Sequence, residues 1–187
     1  MQKILLALSV ILSFHLSQAQ EIKGVFSLGA EFGGDSILSI RYADGSTSTL
    51  KGGNGGLLAG GILYNYSEVF SAQATLGIKY TQTAEATNQT TTFMRFPLEA
   101  LGFYTVDSIH ARFGGGLSYH ISPKIDASGA LVNGTVNFDP SLGFILQGDY
   151  IHEQKMFFGL RYTSMKYKTG SISVDGSSFG FQLAFSN

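Results

Sequence analysis

The stretch VFSAQATLGIKYTQT, Val69 to Thr83, alternates along almost its whole length. Phe70, Ala72, Ala74, Leu76, Ile78 and Tyr80 fall on one side, and Ser71, Gln73, Thr75, Gly77, Lys79 and Thr81 on the other. A period of two places these sets on opposite faces of a strand. SFGFQLAF near the end and IHARFGGGLSYH in the middle repeat the pattern, with Phe179, Phe181, Leu183 and Phe185 opposite Gly180, Gln182 and Ala184. Further runs at about 24–33, 56–66, 92–105, 134–151 and 155–168 bring the expected number of strands to about eight. No helical period is sustained beyond the first twenty residues.

The connections alternate in length. Short polar turns are expected at Asn65 to Glu68, Val106 to Ser108 and His152 to Lys155. Long stretches follow the first, third, fifth and seventh strands, including GGDSILSIRYADGSTSTLKGGNG and ISPKIDASGALVNG. Short turns at one end and long loops at the other describe an up-and-down meander. The N-terminal MQKILLALSVILSFHLSQAQ has a basic start, an apolar run too short to span a membrane and a small-x-small site. It reads as a signal peptide over residues 1–19, leaving 20–187 as one domain.

Two eight-stranded closures fit this rhythm, a lipocalin-like soluble barrel and a membrane barrel with the faces reversed. Only 13% of residues are charged, about half the usual share, while 44% are hydrophobic. The chain has no cysteine, so neither disulfides nor a lipid anchor on cysteine contribute. Net charge is −1 without basic runs, which gives no footprint for nucleic acid. The polar faces hold Gly, Ser, Thr and Gln with single mid-strand charges: Lys79, Arg95, Glu99, Arg112 and Arg161. Such a face covers little water and suits a narrow polar lumen. Tyr64, Tyr66, Tyr104 and Tyr150 abut the short turns, and Phe32, Tyr80, Phe93, Tyr119 and Tyr167 the long loops, as in two aromatic girdles. Parity nonetheless turns Phe93 and Tyr167 inward. The expectation is an all-β, eight-stranded antiparallel up-and-down transmembrane β-barrel, with outer-membrane lipid against Phe70 to Tyr80, periplasmic termini and four long loops outside.

The segment TTFMRFPLEALGFYTVDSIHARFGGGLSYHI resembles the strand-turn-strand core of the small outer-membrane β-barrel family common in Bacteroidetes-type proteins. The architecture is similar to OmpA-type and OmpX-type barrels. The resemblance implies bacterial outer-membrane localisation and recognition by the barrel-assembly machinery through an aromatic residue ending the last strand. Phe185 stands near that place, although Ser186 and Asn187 follow it. Mid-strand Pro97 removes a ladder hydrogen bond and suggests a bulge.

Chemistry has few parts to work with. Ser118 and His120 share a face and could act as nucleophile and base of a lipid hydrolase, but no acid partner is identifiable. His152 reads as a solvated turn residue and His110 as lumen-lining or interfacial. Arg95 lies on one face with Glu99, and Glu31, Asp139 and Asp149 share the lumen parity and could balance the remaining cations. Eight strands leave an interior that side chains fill, so the charges are expected to be matched within it rather than to line an open pore. Asp35, Asp44, Asp126 and Asp175 match no calcium loop, and scattered histidines without cysteine argue against zinc. No cofactor or metal is expected. Gly52 to Gly56, GGNGG, reads as a flexible loop, and the triplets at Asn65, Asn88 and Asn133 carry no glycosylation signal in a bacterium. The functional expectation is a structural or surface-interaction role through the loops, whose ligand the sequence does not name. A narrow pore, a lipid-modifying enzyme and a soluble carrier are the alternatives.

Overall fold

The computed structural model describes residues 21–41, 45, 47–83, 89–129, 133–153 and 155–187. The signal-peptide expectation, Asp44 and Asn88 lie outside these residues. Eight strands close a barrel: β1 (Glu21–Phe32), β4 (Gly55–Asn65), β5 (Phe70–Gln82), β6 (Gln89–Val106), β7 (Ala111–Gly129), β9 (Ser141–His152), β10 (Met156–Ser164) and β13 (Ser178–Ser186). Every pairing is antiparallel, in the order β6, β5, β4, β1, β13, β10, β9, β7, and β7 returns to β6 to complete the ring. Closure leaves the strands of the ring without a free edge, which a lipid environment demands because it offers backbone groups no partner.

The long connections carry strands of their own. The first contains the hairpin β2 (Ser36–Arg41) and β3 (Thr47–Lys51), and the last contains β11 (Lys166–Thr169) and β12 (Ile172–Asp175). β8 (Gly134–Asn137) pairs with the far end of β7, so the single run expected at 134–151 divides into β8 and β9. Likewise the run at 155–168 divides into β10 and β11. His110 lies outside β7, in the left-handed conformation that closes the tight turn at Asp107–Ile109, and its side chain is exposed.

Alternation sorts the faces as expected. Along β5, Phe70, Leu76, Ile78 and Tyr80 are outward and exposed, while Gln73, Thr75 and Lys79 are buried inside. Leu28, Leu58, Leu98, Leu117, Leu146, Leu160 and Phe181 extend this apolar band around the wall. Tyr66, Phe70, Tyr104 and Tyr150 ring the short-turn end, and Phe32, Tyr80, Tyr119 and Tyr162 the other. Phe93 and Tyr167 point inward, both fully buried, as their parity requires.

Pro97 has the expected bulge beside it, in the pairing of β6 with β7. The β5–β6 pairs step from Leu76↔Leu98 to Lys79↔Arg95 with register preserved, so the proline interrupts the ladder without inserting a residue. The bulge sits on the facing strand, where β7 gains one residue between Ile121, opposite Phe96, and Lys124, opposite Met94. Ser122 takes a positive φ of 48° there.

Candidate functional site: the closed lumen

Inward residues of the eight strands divide the interior into three layers. At the short-turn end, Val25, Leu63, Phe157 and Ala184 form an apolar floor. Arg112 lies just above it, its guanidinium 4.0 Å from the Phe103 ring centroid and 3.8 Å from that of Phe157. Its Nε donates to Asp149 Oδ2 at 2.7 Å, and Gln147 Nε2 donates to the other carboxylate oxygen at 2.8 Å. The cation is gripped by two rings and a carboxylate, so its side chain is fixed across the interior at this level.

The middle layer is ionic. Arg161 Nη2 donates to Glu99 Oε2 at 2.8 Å, Nη1 donates to Gln182 at 2.8 Å, and Nε lies 3.8 Å from Glu31 Oε1. Lys79 Nζ donates to Glu31 Oε2 at 2.8 Å, and Ser178 Oγ donates to the same oxygen. These contacts join strands that are not neighbours, β5 with β1 and β10 with β6. Of the expected charges, Lys79, Glu99 and Arg161 therefore meet in this layer through Glu31, while Arg112 pairs with Asp149 below it and Arg95 has no carboxylate partner among the described residues. Asp139 does not reach the lumen: it is exposed in the connection before β9, where its N–H donates to the Lys168 carbonyl. Nor does Arg95 pair with Glu99, because Glu99 reaches Arg161 instead.

Ser118 and His120 are brought into the lumen and then kept apart. Ser118 Oγ donates to Glu99 Oε1 at 3.3 Å, while His120 Nδ1 and the Tyr167 hydroxyl share a hydrogen bond of 2.7 Å. Among the described residues no bond links the two, and both are buried. The arrangement lacks the nucleophile-to-base contact that hydrolysis requires.

The third layer is an aromatic cap. Leu50, Phe93, Ile125, Phe138, Met165 and Tyr167 pack together beneath the loops, with Ile37, Leu38 and Val174 against them. Burial pushes the Tyr167 hydroxyl up to about 12, so it stays protonated. Arg95 stands under this cap over the Phe93 ring, 4.1 Å away. Its Nη1 donates to the Gly52 carbonyl at 2.8 Å and its Nη2 to the Asn54 carbonyl at 2.6 Å. Gly52 to Gly56 is therefore not a loose loop but a packed re-entry segment. A Cβ at Gly52 would approach the Asp175 carbonyl oxygen to 2.6 Å, and one at Gly53 would collide with that of Ser177. Gln73, Gln147, Gln182 and Ser178 were missed by looking for charges alone, although their parity already placed them inside.

No family model matches the chain, and no curated protein matches it. Solved structures do. Ail, the attachment invasion locus protein of Yersinia pestis, superposes with a TM-score of 0.56 at 11% identity, over 90% of this chain and 97% of that one. Neisserial surface protein A gives a TM-score of 0.56 at 8% identity, over 90% of this chain and 99% of that one. The chain has the fold of the small outer-membrane β-barrels. With that fold, a continuous apolar outer band and aromatic rings at both of its margins, the barrel belongs in the bacterial outer membrane. The soluble-carrier alternative falls with the same observation, because it needs the opposite faces.

Proposed function

We propose that this outer-membrane barrel is a sealed scaffold whose role is structural and surface-interacting, exercised through its long-loop end. The observation that carries the reading is the lumen closed at three levels: the Arg112 sandwich, the Arg161–Glu99–Glu31–Lys79 layer and the aromatic cap. A pore would spend its interior on water, and this one is crossed by side chains that bond to one another at each level. The long-loop end faces outward and the termini face the periplasm. Phe185, outward near the end of β13, serves the assembly machinery as its terminal aromatic residue. Loops on a rigid support are where recognition concentrates, and among the described residues the first, third and last long connections carry strands that stiffen them.

Reconstitution into planar bilayers tests the seal, together with protease treatment of intact cells. Absence of conductance steps and cleavage only within the long connections are expected. Stable ohmic steps would favour the narrow-pore reading, and cleavage confined to permeabilised cells would invert the orientation. Ser118→Ala is expected to leave lipid A acylation unchanged, and a loss of deacylation on that substitution would reinstate the enzyme reading.

A further inference from the structure

The buried charges of the described lumen do not balance. Lys79, Arg95, Arg112 and Arg161 face the carboxylates of Glu31, Glu99 and Asp149, and Arg95 is the cation with no carboxylate. The cause lies in the register. Lys79 stands directly opposite Arg95 across β5 and β6 and takes Glu31 for itself. Arg95 instead donates to two carbonyls of the segment that returns from the first long connection into β4, leaving its Nε without a partner.

That segment is one half of the cap. Asn54 is its hub, since its main-chain oxygen accepts from Arg95 and from Thr81 Oγ1 at 2.5 Å while its side-chain oxygen accepts from Gly33 N at 2.9 Å. The other half is the last long connection. Asp35 N donates to the Asp175 carbonyl at 2.8 Å, Asp175 N donates back to Asp35 Oδ2 at 3.0 Å, and Gly52 N donates to the Asp35 carbonyl at 2.9 Å. Tyr167, carried by the same last connection, packs edge-on against Phe93, the ring that Arg95 covers.

We propose that the described parts of the first and last connections, residues 33–41, 47–54 and 165–177, form one lid over the barrel and that Arg95 is its latch. The two connections are bound to each other by their own backbone, so they move as a unit. Thr81 Oγ1 and His120 Nδ1 each tie the unit to the wall at one point, on the Asn54 carbonyl and the Tyr167 hydroxyl, and Arg95 is the charged tie that grips two points from beneath, through hydrogen bonds to neutral carbonyls rather than an ion pair. Release of the latch lifts Leu50 and Tyr167 off Phe93 and gives the surface face of the protein a second, open state. The sealed scaffold proposed above does not require this, and a lid that never opened would leave that reading intact.

The absence of native cysteine makes the test direct. A Leu50→Cys reporter is buried under the lid, and its rate of labelling by a membrane-impermeant maleimide reads opening. Slow labelling is expected with Arg95 present, and a rise of about tenfold or more with Arg95→Met, from losing two charge-assisted hydrogen bonds. Arg95→Lys is also expected to label faster, because one ammonium cannot reproduce the fork on both carbonyls. The gel-mobility shift on boiling must persist, showing the barrel intact. Where Arg95→Met does not fold, Arg95→Gln serves instead, since the shorter neutral amide cannot fork onto both carbonyls. Labelling that is fast with Arg95 in place, or unchanged in a folded Arg95→Met or Arg95→Gln protein, would overturn the latch. Failure of both variants to form a heat-modifiable barrel would also overturn it, by making the cap part of the folding core.

Discussion

Glu99→Gln is the substitution that asks most of the lumen. The amide keeps the volume and an acceptor, so the Ser118 hydroxyl bond can persist, but the charge facing Arg161 is lost. Four buried cations would then face Glu31 and Asp149 alone. Removing one partner of a buried pair costs about 3–5 kcal/mol when nothing else compensates. Arg161 retains Gln182 at 2.8 Å and Glu31 at 3.8 Å, which lowers the expectation to roughly 2–4 kcal/mol. Replacing both members, Glu99→Met with Arg161→Met, returns the excess to the single cation of the parent and is expected to stay within about 2 kcal/mol of it. The protein has no tryptophan, so urea unfolding in lipid vesicles is best followed by circular dichroism and by mobility on unboiled gels. A double variant much less damaged than the sum of its two singles measures the coupling. If Glu99→Gln unfolds within about 0.5 kcal/mol of the parent, as a surface change would, the ionic layer is not a structural tie and the reasoning fails.

Three further outcomes follow from the same geometry. Gly116→Ala would drive a Cβ into the Ala100 carbonyl and is expected to abolish or severely weaken the folded barrel, whereas Gly102→Ala, outward with no atom within 4 Å, is expected to be neutral; the heat-modifiability of both variants decides. Leu76→Arg, in the outward band, is expected to cost about 2–4 kcal/mol in vesicles if that site lies near the bilayer midplane, and a near-zero cost would contradict the lipid-facing assignment. The Thr135 hydroxyl at 2.6 Å and the Lys124 ammonium at 2.9 Å hold the exposed Asp126 carboxyl below the usual aspartate range. Its contribution to pairing β8 with β7 is therefore present above the unfolded carboxyl value and lost as pH falls through the folded one; an NMR titration should show a depressed midpoint that Thr135→Val raises.

Much of the barrel was legible because a strand's period is two and a membrane wall has only two sides. The outward set from Phe70 to Tyr80, and even the inward turn of Phe93 and Tyr167, follow from counting along the chain. What counting along one strand cannot supply is the partner across the lumen. Glu99 lies on the same face as Arg95 in β6, yet it meets Arg161 from β10, because stagger and tilt around the ring decide which levels face each other. Asp139 failed for a related reason: the expected strand broke at Phe138–Pro140, and parity loses its meaning beyond a break. The glycines of Gly52 to Gly56 looked loose because composition reports conformational freedom, while the close approach of Asp175 and Ser177 that demands glycine is tertiary.

The placement of the ions bears on why the interior is not simply apolar. Ion pairs in a dry interior add little net stability, and well-packed apolar residues of the same volume can do as well. They do carry information about register. A slip of one residue in β5 or β10 would turn Lys79 or Arg161 into the acyl chains and bring Ile78 or Leu160 inside, so each pair penalises the wrong alignment more than it rewards the right one. The ties also lie at different heights, with Arg112 near the floor, Arg161 and Lys79 in the middle and Arg95 under the cap, and those of Lys79, Arg161 and, through Gln73, Arg112 reach non-adjacent strands. Together they fix the stagger of the ring, which neighbour-to-neighbour hydrogen bonding alone specifies only step by step. Arg95 differs from the others in having its partners on a connection rather than a strand, and so the same device that aligns the wall also sets the position of the loops above it.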